Sequence, residues 1–316
     1  MSKTKNNRSQ TKSSGPLPLH LALPATSANL GPAFDAAALA MDLYITIDAR
    51  PAPGFSITAT GRDPEICGAV ENHLILNTYR EILEAQDAKI IPLSLRIEND
   101  IPIGKGCGSS AAARLAGIAL ANHFGRLRWT DTRIIGEASR REQHSDNASA
   151  CWMGGLTVAR MSEGGEAQVV RIRPKGKWPL LLAIPDHALS TEKARRVLPE
   201  QYSRADAVAN IQNSMLLLAA FTQERHDLLA DALEDRIHQP YRAPFCPLLP
   251  SLRELAGTPG ILGAALSGAG PSVIVFLDPV VAARRACRSV AAHIARGGLS
   301  AELLLTSISP RGARRQ

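Results

Sequence analysis

Residues 101–113 read Ile101-Pro-Ile-Gly-Lys-Gly-Cys-Gly-Ser-Ser-Ala-Ala-Ala113. Glycines at 104, 106 and 108 permit positive φ and a close approach of backbone to a neighbouring group. Two serines then lead into an alanine-rich run over 111–124, with Leu115, Ile118 and Ala119 on one helical stripe. A helix start leaves its first amides without internal acceptors and carries the positive end of the dipole. The turn is therefore either an anion site or a glycine turn capped by serine. The hydroxyls of Ser109 and Ser110 are hard oxygen donors of the kind Mg²⁺ accepts. A Walker A loop is excluded, because Gly106 follows Lys105 where Ser or Thr is needed. A dinucleotide fingerprint is excluded too, because Ser109 occupies the third glycine position.

Outward from this turn, hydrophobic spacing and turn residues predict strands over 19–23, 42–50, 55–61 and 93–98, and a helix over 72–83. The second and third strands, separated by Pro51-Ala-Pro-Gly54, are expected to pair as a hairpin. Downstream come a charged helix over 131–143 and a strand over 155–160. Arg173-Pro-Lys-Gly-Lys177 then interrupts the pattern, which sets a boundary near 172. Beyond it the pattern predicts a strand over 179–184, helices over 203–221 and 223–237, and strands over 263–266 and 272–277 around a tight turn. A helix over 280–296 and a strand over 301–307 complete the pattern, and the class is α+β. No period of 20–50 residues repeats.

At 316 residues the chain is long enough for about two domains. Its 45% hydrophobic and 21% charged residues exclude wholesale disorder. The net charge of +7 suggests nucleic acid until it is located. Lys3, Lys5, Arg8 and Lys12 at one end and Arg311, Arg314 and Arg315 at the other account for all of it. The body is formally neutral, which argues against nucleic-acid binding, and both ends read as solvated basic tails. No uninterrupted apolar stretch has the length of a membrane span. Three prolines and a histidine over 16–24 spoil the apolar region of a signal peptide. The five cysteines, odd in number and without CxxC spacing, fit neither a disulfide framework nor a zinc knuckle, and a cytoplasmic setting is expected.

Two further segments bear on the glycine turn. Residues 24–35, Pro24-Ala-Thr-Ser-Ala-Asn-Leu-Gly-Pro-Ala-Phe-Asp35, form a polar, broken loop that either presents Asn29 and Asp35 to a ligand or closes on local Asx bonds. Residues 266–272, Leu266-Ser-Gly-Ala-Gly-Pro-Ser272, are a second glycine turn between apolar runs, read alone as a hairpin. Together, in this order and separation, the three segments resemble the signature motifs of the GHMP kinase superfamily. Pro102 to Ala111 fits its second motif, Pro-x3-Gly-x-Gly-Ser-Ser-Ala. The first segment resembles the homoserine kinase branch, as does Glu142-Gln-His-Ser-Asp-Asn-Ala-Ser-Ala-Cys-Trp-Met-Gly-Gly155. By its residues alone that last stretch is either a polar loop at a site or a helix C-terminus.

The resemblance covers about 20–307 and implies a two-domain α+β fold. An N-terminal ATP-binding half over 16–172 resembles ribosomal protein S5 domain 2, and a C-terminal half over 173–310 is a ferredoxin-like α/β sandwich. Basic tails at 1–15, expected to be disordered, and 311–316 flank them. It implies ATP and Mg²⁺ as cofactors and L-homoserine as the small-molecule substrate, with no nucleic-acid or membrane partner and a homodimer as the assembly. The ATP site would comprise Asn72 near the adenine and Pro102, Gly104, Lys105, Gly106, Cys107, Gly108, Ser109, Ser110 and Ala111 around the phosphates. Ser109 and Glu142 would hold the metal, with Glu137 as a competing ligand. Asn29, Asp35, His144, Asp146, Thr191, Arg195, Arg242 and Gly268 would face the amino acid. Asn147 stands where related kinases place a catalytic aspartate, and an amide there would orient the attacking hydroxyl rather than deprotonate it. Read singly, Arg195 and Arg242 are surface charges. Ala33, Cys107 and Ala148-Ser-Ala150 depart from the family pattern without removing a charged group. The competing readings are another small-molecule kinase (for shikimate or a mevalonate-like acceptor), a non-catalytic sensor on the same fold, and an RNA-binding protein.

Overall fold

The structure, a computed structural model, describes residues 16–315. The tail expected over 1–15 lies outside the described residues. The strands are β1 (Leu19–Asn29), β2 (Ala33–Pro51), β3 (Ser56–Gly61), β4 (Leu93–Asn99), β5 (Leu156–Met161), β6 (Ala167–Ile172), β7 (Pro179–Ile184), β8 (Ile261–Leu266), β9 (Val273–Leu277), β10 (Glu302–Ser307) and β11 (Arg314–Arg315). The helices are α1 (Pro64–Gly68), α2 (Leu74–Ala85), α3 (Ser109–Phe124), α4 (Asp131–Glu142), α5 (Asp146–Met153), α6 (Thr191–Arg196), α7 (Arg204–Gln223), α8 (Leu229–Ala232), α9 (Gln239–Arg242), α10 (Leu248–Arg253) and α11 (Ala283–Arg296).

The first sheet runs β11-β1-β2-β4-β3. The 19-residue β2 carries it, pairing with β1 along one edge and with β4 and then β5 along the other. The hairpin expected between the second and third strands does not form. β4 inserts between them, antiparallel to β2 and parallel to β3. Burial explains the exchange: Leu93, Leu95 and Ile97 of β4 are buried, whereas β3 is largely exposed, so the more apolar strand takes the interior position. The second sheet runs β10-β7-β9-β8. With β7 to β10 as first to fourth strands, that is the fourth-first-third-second order of a ferredoxin-like βαββαβ unit. Alternation divides its side chains between two cores. Leu180, Leu182, Ile274 and Phe276 join a core shared with Leu217 and Phe221 of α7 and with the first sheet. Leu181, Val273 and Val275 pack on the other face with Leu249 of α10 and Val290 of α11. The two halves are thus joined by one continuous apolar core.

Three further expectations change. The helix expected over 223–237 breaks into a 3₁₀ turn and the short α8 and α9, because Asp235 accepts from the amides of Ile237, His238 and Gln239 and starts a new turn ahead of Pro240. The stretch after Glu142 is a helix end followed by a short turn at the cleft and then a new helix: Gln143 caps α4 in the left-handed region (φ 65), and Asp146 begins α5, its carboxylate accepting from the Asn147 amide at 2.6 Å. The closing basic segment, exposed at Arg311 and Arg315, is not a free tail over its described residues. Arg314 and Arg315 pair with Ala22 and Leu21 and cover the outer edge of β1, and Arg315 stacks on Trp152 and bonds Asp131 at 2.7 Å. Among the described residues no helix is long and apolar enough to cross a membrane.

Candidate active site

All three signature segments meet at one cleft between the halves. Its lining includes Asn29, Asp35, Gly104, Gly106, Gly108, Ser109, Ser110, Ala111, Glu142, His144, Asp146, Asn147, Thr191, Arg195, Arg242 and Gly268. The space enclosed in the cleft is about 120 Å³.

At one end, α3 begins with Gly108 in the left-handed region (φ 73) and with no side-chain cap or acid in its first turn. The backbone bonding of α3 begins at Ala112 N to Gly108 O (3.0 Å), which leaves the amides of Ser109, Ser110 and Ala111 without helical acceptors, at the cleft wall. Glycine is required at 106 because a Cβ there would overlap Ser267 O. The third segment packs onto this loop through Ser267 Oγ, which donates to Gly106 O at 2.7 Å. Lys105 is turned away, its ammonium donating to the carbonyls of Pro185 (2.8 Å) and Asp186. Pro102 and Cys107 are buried outside the cleft lining, and burial pushes the Cys107 thiol up to about 12, so it is inert packing. Asn72 lines an adjoining apolar cavity with His73, Ile66, Ile97, Ile101 and Ile103, which shares Gly104, Ser109 and Ser110 with the cleft.

The expected metal pair, Ser109 and Glu142, lines the cleft together with Ser110. Glu142 Oε1 accepts from Ser110 Oγ (2.6 Å) and from Arg114 Nε (2.6 Å), a residue that the sequence reading missed. Glu137 is excluded from the cleft. Burial raises its pKa, but bonds from Arg140 and Arg141 outweigh that and hold it below the ordinary value. Among the described residues no group of three His, Cys, Asp or Glu side chains could hold a metal. One carboxylate and one hydroxyl suit Mg²⁺, which keeps its waters and leans on substrate phosphates.

The other end is built from side chains. Arg195, one turn after Thr191 on α6, makes a two-pronged bond to Asp35 (3.0 and 2.8 Å). Arg242, at the end of α9, is 1% exposed, and among the described residues no carboxylate lies within ion-pair distance of it. Its Nε donates to Ala194 O (3.0 Å) and its NH1 to His238 Nδ1 (3.1 Å). Burial and the neighbouring Arg195 push its pKa down to about 10, so at neutral pH it is a charged guanidinium without a counterion. Phe34 lies under both guanidiniums and against His238. Burial pushes the His238 pKa down to about 4, so the ring is neutral. Its Nδ1 accepts from Arg242 while Nε2 donates to Gly31 O at 2.7 Å. Neither Phe34 nor His238 carried a signal readable in sequence, since an aromatic and a histidine at those positions read as core.

Three expected ligand contacts are committed to the protein. Asn29 donates to Gly268 O (2.8 Å) and accepts from the Asp35 amide (2.9 Å), which ties the first segment to the third. His144 bonds Asp146 at 2.7 Å. Burial lowers the His144 pKa, but Asp146 more than compensates and leaves it raised. Asn147, next on α5, faces the cleft beside Gly108 and accepts at Oδ1 from Thr26 Oγ1 (2.7 Å). Thr26 lies within the first segment but was not singled out.

Comparison with known proteins agrees with this geometry. Residues 73–155 match the family model described as GHMP kinases N terminal domain, and residues 217–295 match GHMP kinases C terminal. The chain is 42% identical over 295 residues to the homoserine kinase of Solibacter usitatus, covering 93% of this chain and 95% of that one. It is 37% identical over 261 residues to the homoserine kinase of Deinococcus radiodurans, covering 83% and 85%. The crystal structure of homoserine kinase from Cytophaga hutchinsonii superposes with a TM-score of 0.80 at 22% identity, over 98% of this chain and 100% of that one, a likeness of fold.

Proposed function

The chain belongs to the homoserine kinase family of the GHMP kinases, and from that premise we propose how its cleft performs the reaction ATP + L-homoserine → ADP + O-phospho-L-homoserine. The observation that carries the reading is the pairing, in one cleft, of free α3 amides with an Arg242 guanidinium that, among the described residues, has no carboxylate within ion-pair distance. The first suits a triphosphate and the second a carboxylate.

The adenine lies in the apolar cavity beside Asn72, and the phosphates lie along Gly106 to Ala111. Glu142, with the hydroxyl of Ser109 or Ser110, would hold Mg²⁺, which would supply neutralisation of the phosphate charge. The amino acid enters the Asp35–Arg195 pair by exchange. Its ammonium replaces the guanidinium at Asp35, while its carboxylate takes Arg195 and the waiting Arg242. A zwitterion leaves no charge unpaired in this exchange, whereas a ligand with one charge strands a partner. That is the source of amino-acid specificity. Phosphoryl transfer through a loose transition state needs positioning and charge neutralisation more than a strong base. The amide Asn147 therefore suffices at the reacting hydroxyl. A reducing, cytoplasmic setting belongs to the same reading, supported by five free cysteines.

An ADP-release assay with Mg·ATP against homoserine, shikimate, mevalonate and galactose tests the reading. Turnover with homoserine alone is expected, and equal turnover with shikimate or mevalonate would overturn it. Two fragments sharpen the test: 4-hydroxybutyrate lacks the ammonium, 3-aminopropanol lacks the carboxylate, and both should be poor acceptors.

A further inference from the structure

Among the described residues, the one polar group within bonding distance of the Asn147 carbonyl oxygen is the hydroxyl of Thr26. Thr26 is fully buried and is not part of the cleft lining. Its backbone amide donates to Cys107 O at 3.0 Å, so the residue is pinned to the phosphate loop while its hydroxyl reaches α5. Gly108 leaves the space for this contact, since a Cβ at that position would overlap Thr26 Oγ1. One β-strand residue thus links the phosphate-binding turn to the amide at the reacting hydroxyl.

An asparagine side chain has an accepting end and a donating end, and nothing in its shape decides which faces a substrate. A serine or threonine hydroxyl rotates freely and can serve either end. Here the carbonyl end is taken by the Thr26 hydroxyl, and the NH₂ end lies on the side of Asp146 Oδ1, 3.4 Å away. We propose that Thr26 is a positioning residue that locks the Asn147 amide so that its N–H, not its carbonyl, meets the substrate hydroxyl oxygen. The proposal rests on the kinase reading above.

The consequence is chemical. An N–H donor holds the hydroxyl oxygen in place and cannot take its proton. As that oxygen bonds to the γ-phosphorus, the bond from phosphorus to the β–γ bridging oxygen breaks and ADP leaves with the electron pair. The hydroxyl proton passes to a γ-phosphate oxygen and from there to water. With the amide free to turn, the carbonyl would compete for the hydroxyl hydrogen and pull the oxygen's lone pair off line. The cost falls on the chemical step and not on binding.

A double-mutant cycle on the full chain tests this, with kcat and both KM values measured for Thr26→Val, Thr26→Ser, Asn147→Ala and Thr26→Val/Asn147→Ala. Thr26→Val keeps the shape and loses the donor. The expected result is a fall of about 10-fold or more in kcat with both KM values within about threefold. Thr26→Ser should restore kcat to within about threefold of the parent. In the Asn147→Ala background Thr26→Val should cost nothing further, because the amide it positions is gone. A Thr26→Val variant with unchanged kcat, or one whose loss is equally large without Asn147, overturns the proposal. Should Thr26→Val fail to fold, Thr26→Ser and Thr26→Cys carry the test, since a thiol is a weak donor and should lie between serine and valine. If Asn147→Ala itself keeps full kcat, it is the reading of Asn147 that fails, which is a different outcome from a silent Thr26→Val.

Discussion

The two ends of the cleft are made from different materials. The phosphate end is backbone: amides at the start of α3, placed by glycines at 106 and 108 with positive φ. The amino-acid end is side chain: Asp35 from β2, Arg195 from α6 and Arg242 from α9, brought together from both halves of the chain. Backbone amides lose their donors to no substitution but proline, and they bind any polyphosphate. Charged side chains select one zwitterion, but each must be held in place by something else. For Arg242 that support is His238 and the Ala194 carbonyl, and for Arg195 it is Asp35 itself.

The contrast predicts separable kinetic effects. The largest should come from Arg242→Met, which removes the buried guanidinium. Truncating one side of a buried charge pair costs about 2–5 kcal/mol, so kcat/KM for homoserine should fall by roughly 10²- to 10³-fold. The KM for ATP should stay within about twofold, as steady-state titration of each substrate will show. Next comes Gly106→Ala. Its φ of 80 and the overlap with Ser267 O force the loop and the third segment apart, and kcat should fall about 100-fold with a weakened KM for ATP. An alanine variant with parental kinetics would show that the phosphates do not use this loop.

Asp35→Asn should be milder, since the amide keeps the shape and one acceptor. A lost charge-assisted bond of about 1.5–3 kcal/mol predicts a KM for homoserine raised roughly 10- to 100-fold, with the KM for ATP unchanged. Equal effects on both substrates would contradict the division between the two ends.

The last effect concerns stability and leaves the kinetics aside. His238 is fully buried with its pKa depressed to about 4, while an unfolded histidine titrates near 6.5. Between those values the unfolded chain binds the extra proton, so stability rises with pH across the window and is lost as pH falls through it. Urea melts from pH 4.5 to 7 should show this slope, worth up to about 3 kcal/mol, and His238→Phe should flatten it. An unchanged slope in the variant would assign the pH dependence elsewhere.

The same contrast decides what could be read from the sequence. A backbone site announces itself locally, because glycines with special φ and a helix start must be contiguous, and residues 104–111 were legible as such. A side-chain site is assembled by topology. Arg195 and Arg242 read singly as surface charges, and only the motif resemblance placed them at a substrate. Thr26, Arg114, Phe34 and His238 were missed for a related reason. Each acts through a contact from a distant segment, as in the bond from Thr26 to Asn147, 121 residues apart. Ser109 and Ser110 both line the cleft, and the bond from Ser110 to Glu142 depends on the direction of α3, which the sequence does not state. In the fold, the longer helices and most strands followed from periodicity, whereas the extensions of β1 to Asn29 and of β2 back to Ala33, the strand β6 and the break of the 223–237 helix did not. The place of β4 between β2 and β3, and the pairing of Arg314–Arg315 with β1, did not. Sheet order depends on which strand buries more apolar surface, and hydrophobic spacing within one strand does not state it.

A crystal structure with a non-hydrolysable ATP analogue, Mg²⁺ and homoserine tests the account most directly. It should place the triphosphate on the amides of residues 106–111, the substrate carboxylate on Arg195 and Arg242, and the ammonium on an Asp35 released from its guanidinium. Phosphates bound away from that turn, or a homoserine seated with the Asp35–Arg195 pair intact, would contradict it.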